Sequence, residues 1–230
     1  MIKDFKFATF EFEEKDKDFI GKVGKYIDAN ANAIFDFFEL IPTEKKVKIN
    51  IIPTKKEFDK KFIKDHAFAD EKYKVPIWAK GYFSNNEIVY LSLNDLKSTR
   101  YNDKLYSSEM EYYKKTLLHE FVHYVNALYR KKMNCGPTIK YLSEGIATLL
   151  SKQKENLVCD FDFSIDQILS VDMTKSCYDG WYLITKYLVE NYDKKFVLQL
   201  FESNRQAKEF LQTELFDNTK KFYCLKIPKP

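Results

Sequence analysis

Histidine is scarce in this 230-residue sequence, with 3 copies, and cysteine, glycine and proline are few at 4, 6 and 6. Cys135, Cys159, Cys177 and Cys224 are widely separated and form no CxxC pair, a spacing unlike that of a zinc knuckle, and they favour free thiols over a disulfide framework. No apolar run approaches the roughly 20 residues of a membrane span, and Met1-Ile-Lys-Asp-Phe lacks the apolar core of a signal peptide. These absences point to a cytoplasmic protein without membrane partners, or to a secreted one if a leader once preceded Met1. Repeats and low-complexity tracts are missing too. The excess of positive charge is small, 38 Lys+Arg against 34 Asp+Glu, and it is scattered in pairs such as Lys45-Lys46 and Lys194-Lys195. That is a solvated surface, so no nucleic-acid partner is expected.

What is present suits a folded core: 45% of residues are hydrophobic and 17% aromatic. Alternation predicts a strand over Phe5 to Phe12, with its buried face open. A helix follows from Asp18 to Leu40, ended by Pro42, then a strand from Val47 to Ile52 and a helix from Lys55 to about Lys64 capped by Thr54. Two further strands, Pro76 to Tyr82 and Glu87 to Leu93, flank the turn Ser84-Asn85-Asn86. Beyond residue 133 every periodic segment is helical, including Ile165 to Leu169 capped by Ser164, Tyr178 to Asn191, Lys194 to Glu202 and Arg205 to Leu215. The expected class is therefore α+β, one domain with a mixed N-terminal lobe (1–133) and a helical C-terminal lobe (134–230).

The chemistry concentrates in Lys115 to Val125, KTLLHEFVHYV. On a helix, His119 and His123 stack one turn apart on one face, close enough to hold one ion. Glu120 lies about 100° round the helix, beside such an ion, where a general base belongs. Leu117, Leu118, Phe121, Val122 and Val125 carry no charge, so the helix is buried, and buried histidines need partners. A metal is one solution; two packed histidines without metal are the other.

A third ligand is offered by Tyr141 to Leu150, YLSEGIATLL, in which Glu144 is the only charge. A buried carboxylate pairs, protonates or binds a metal. The 20 residues separating His123 from Glu144 suffice for the motif helix to end near Lys132, a turn at Asn134-Cys135-Gly136-Pro137, and a second helix returning across the first. Gly136 suits the C-terminal cap and Pro137 the next entry. Gly145 and Ala147 leave room for these two helices to approach. His66 stands alone after a helix and reads as a surface or capping residue.

HEFVH followed by LSEGIA resembles the gluzincin metallopeptidases, the group of thermolysin and the zinc aminopeptidases, and especially the compact peptidase-MA-like proteins, over roughly residues 80 to 200. The resemblance implies a zincin-like fold with one Zn2+ per chain between its two lobes. It implies His119, His123 and Glu144 as ligands, Glu120 as general base, and a tyrosine aimed at the oxyanion, for which Tyr178 is the candidate beside a plain packing role. It implies a peptidase acting on peptide or protein substrates; the chain is expected to be a monomer. No GxMEN-like run precedes the motif, which favours endopeptidase over aminopeptidase. The alternatives are a catalytically silent or latent zinc protein that recognises peptides, and an interaction module whose histidines are merely packed.

Overall fold

The computed structural model describes residues 1–66, 75–76, 79–96, 108–157, 161–170 and 175–226. The fold is α+β, and the chain divides into two compact units, Met1–Val125 and Asn126–Pro230. Among the described residues no helix is long and apolar enough to cross a membrane.

The first unit contains β1 (Ile2–Asp4), β2 (Ala8–Glu11), α1 (Lys17–Phe37), β3 (Val47–Ile52), α2 (Lys55–Asp65), β4 (Gly81–Ser84), β5 (Glu87–Leu91), α3 (Leu93–Leu96) and the first four turns of α4 (Glu109–Met133). The strands form one sheet in the order β1-β2-β3-β5-β4, parallel at β2/β3 and β3/β5 and antiparallel at its two flanks. Ala8 and Phe10 are buried and Glu11 is exposed, so the even-numbered residues of β2 are the ones that face the core. The strand is shorter than the alternation suggested, because Phe5 turns the chain by bonding its N–H to the Ala8 carbonyl at 2.9 Å. This turn produces β1, whose exposed residues gave no periodic signal. Phe35 of α1 meets Phe7 and Phe121 of α4, while Phe83 of β4 meets Tyr124, so α1 and α4 lie against one face of the sheet. Phe58 and Phe62 of α2 pack on Tyr82, which projects to the opposite face.

Two helix ends differ from expectation for one reason. α1 stops at Phe37 with Glu39 left-handed (φ 52°) and the Leu40 N–H on the Phe35 carbonyl, before Pro42 is reached. At the end of α4 the left-handed residue is Asn134 (φ 53°), with the Cys135 N–H on the Arg130 carbonyl, so Asn134 rather than Gly136 closes the helix. Asparagine tolerates this conformation better than most residues, and no glycine has a positive φ.

The second unit holds the end of α4 with α5 (Lys140–Leu150), α6 (Ile165–Leu169), α7 (Lys175–Asn191), α8 (Lys194–Glu202), α9 (Asn204–Phe210), one π turn (Leu211–Leu215) and α10 (Phe216–Lys226). The last three run on as one helical stretch past Asn218, and Phe222 packs on Tyr187 of α7. The chain beyond 226 lies outside the described residues. Trp181 of α7 is fully buried and donates from Nε1 to the Ile168 carbonyl at 2.8 Å. Lys154 pairs with Asp179, and Gly145 faces Trp181 and Thr185, so α5 and α7 run antiparallel.

Gly145 serves the α5–α7 contact, whereas its expected role was to admit α4. A Cβ there would stand 2.5 Å from the Trp181 carbonyl oxygen and 2.0 Å from Thr185 Oγ1. The hydroxyl can rotate, but the carbonyl belongs to a helix and cannot. Gly145→Ala is expected to cost about 1–3 kcal/mol, the usual penalty of overpacking, despite the better helix propensity of alanine. Urea unfolding checks this, and an unchanged midpoint would show that the helices part easily.

Candidate metal centre

α4 brings the two histidines together as the i, i+4 spacing requires. Their Nε2 atoms approach to 3.0 Å and the ring centroids to 4.7 Å. Glu144 in the second turn of α5 completes a group of three: one donor atom from each of His119, His123 and Glu144 lies within 4.8 Å of the others. His119 is buried, while His123 and Glu144 are half-buried. On α5 the helical period sets Glu144 between the buried Tyr141 and Ala147.

The donor set fits a divalent ion of the zinc type. Two imidazole nitrogens and one carboxylate oxygen are a familiar three-ligand set with one position left over. Ligand bonds of about 2.0–2.1 Å at a tetrahedral ion place donors about 3.3 Å apart, near the separation of the two Nε2 atoms. The same set accepts other transition ions, and nothing in it selects zinc uniquely.

Glu120 is half-buried and follows Thr116 by one turn on its own stripe of α4. Thr116 Oγ1 donates to the Tyr112 carbonyl at 2.9 Å, which leaves its oxygen to accept from the Tyr90 hydroxyl of β5, in close contact with it. Burial raises the Tyr90 phenol well above its ordinary pKa, with the neighbouring Tyr112 and the Glu120 carboxylate adding to the shift and Thr116 opposing it. Tyr90 therefore stays protonated and ties the sheet to the helix beside Glu120. Its ring lies over Gly81 of β4, where a Cβ would come within 2.2 Å of Cδ2, so the strand next to this tyrosine requires glycine.

One turn before His119, Lys115 is buried and paired with Glu111 at 2.9 Å. Without that carboxylate a lysine so close to a cation site would repel the ion. Glu111 also gives its backbone N–H to Ser108 Oγ at 3.1 Å, a bond of the N-terminal capping type. His66 is exposed, caps α2 and stacks on Phe62 at 4.2 Å between ring centroids, apart from the metal group.

Tyr178 is half-buried on α7, its ring 5.0 Å from Trp181. In the antiparallel pairing Gly145 is level with Trp181 and Thr185, and Lys154 with Asp179. Tyr178 thus lies towards the Lys154 end of α5, roughly 9 Å along the helix axis from the level of Glu144.

Sequence reasoning passed over Thr116 and Asn126, and left undecided whether Tyr82 or Tyr90 faces the cleft. Thr116 and Asn126 stand at helical spacing from Glu120 and His123, and that spacing was the available signal. Tyr90 had none, since its part depends on which strand neighbours which. No protein-family model matches this chain, nor does any curated protein or solved structure, so the reading of the site rests on its own geometry.

Proposed function

We propose that this protein is a zinc-dependent peptidase of the gluzincin type, with a zincin-like fold, hydrolysing peptide bonds within peptide or protein substrates. The observation that carries the proposal is the convergence of His119, His123 and Glu144 on one point with Glu120 next in sequence to one of the ligands. A zinc ion held by these three residues would supply Lewis acidity to polarise a carbonyl and lower the pKa of a water to about 7.

Glu120 then has two tasks. Its carboxylate accepts the proton of the attacking water as the C–O bond forms, and returns it to the amide nitrogen as the C–N bond breaks. β4 stands at the edge of the sheet beside Tyr90, and an extended substrate pairing with such an edge would be aligned by main-chain hydrogen bonds. Tyr178, whose ring packs on Trp181 of the same helix, is the candidate donor to the oxyanion in this reading.

The test is cleavage of a mixed peptide library by the zinc-loaded protein, with and without chelator. Chelator-sensitive internal cleavage is expected. Stoichiometric zinc without any cleavage would replace the enzyme by a zinc protein that only recognises peptides.

A further inference from the structure

Asn126 is 2% exposed and lies on α4 three residues after His123, continuing the face that carries His119 and His123. Its carboxamide reaches two hydroxyls of the segment that bears Glu144. Thr138 Oγ1 donates to Asn126 Oδ1 at 3.4 Å, and Asn126 Nδ2 donates to Ser143 Oγ at 3.5 Å. Thr138 stands just ahead of α5, and Ser143 is the immediate neighbour of Glu144.

α5 begins without the devices that normally fix a helix start. Its N-cap residue is Ile139, which makes no side-chain cap bond, and its first turn has no acidic residue. A buried amide fastened on both sides of that start takes their place. Both contacts, at 3.4 and 3.5 Å, are longer than a typical hydrogen bond, so each adds little to stability by itself.

On the reading of His119, His123 and Glu144 as metal ligands, we infer that Asn126 is a positioning residue of the metal centre. It sets the first turn of α5 so that the Glu144 carboxylate is presented to the ion held by the two histidines. A partner that orients a ligand in this way is worth about 10–100-fold in metal affinity.

The experiment is a zinc competition titration against a chromophoric chelator on the full chain, in four proteins: wild type, Asn126→Leu, Glu144→Gln and the double variant. Asn126→Leu is expected to weaken zinc binding about 10–100-fold beside an intact Glu144, and to have no further effect once Glu144 is Gln, because the group it positions is gone. An equal loss in both backgrounds would make Asn126 a general support of the helices and overturn the inference, as would no loss in the first. Should Asn126→Leu fail to fold, Ser143→Ala removes the same bond from its other end and carries the same cycle. A wild-type protein that binds no zinc would instead overturn the metal reading itself, before any variant is compared.

Discussion

Glu120→Gln is expected to leave zinc bound at the wild-type stoichiometry and to lower peptide hydrolysis by about 10²–10⁴-fold, the range that a positioned general base contributes. The substitution keeps the shape of the side chain and removes its ability to accept a proton. It touches no ligand, since the metal group consists of His119, His123 and Glu144. Buried neighbours Leu117, Phe121 and Val122 hold the helix whatever stands at position 120, so the thermal midpoint should barely move. Steady-state rates on one cleaved peptide, measured alongside zinc content, check both halves. Loss of zinc together with activity would make Glu120 a ligand or a structural residue, and unchanged activity would remove it from the mechanism.

Glu144→Gln should act on the opposite quantity. Residues that merely orient a ligand are worth about 10–100-fold in metal affinity, so loss of the only anionic ligand is expected to weaken zinc binding by more than 100-fold. Two imidazoles would remain, 3.0 Å apart at Nε2, and would retain weak binding. The apo protein should not suffer, because Glu144 is half-buried beside a packed stripe of Tyr141, Leu142, Ile146 and Ala147 that the substitution leaves intact. A competition titration reads the affinity and urea unfolding the stability. Equal zinc affinity in wild type and Glu144→Gln would mean that the third donor is some other group.

The parts of this molecule that the sequence made legible are those governed by local periodicity. Thr54 caps α2 through the Glu57 N–H, Ser164 closes a capping box with Gln167 on α6, and β3 and α8 have the expected bounds. His119 and His123 belong to the same category, since four residues along one helix fix their separation. Glu144 was legible for another reason, as an isolated charge in an apolar stretch. The strand order was not legible, because parallel pairing of β2 with β3 and of β3 with β5 joins residues 39 apart and is decided by packing. Nor was the partner of Gly145, which depends on how α7 returns along α5. The caps at Glu39 and Asn134 were misplaced onto Pro42 and Gly136, residues that favour breaks in general, while the closing bonds had formed a few residues earlier.

The central claim is tested most directly by the metal content of the chain itself. Purified protein, stripped with chelator, offered one equivalent of zinc and dialysed, should retain one zinc per chain, and the His119→Ala/His123→Ala double variant should retain none. Failure of the wild-type chain to keep zinc, or equal retention by the double variant, would contradict the account.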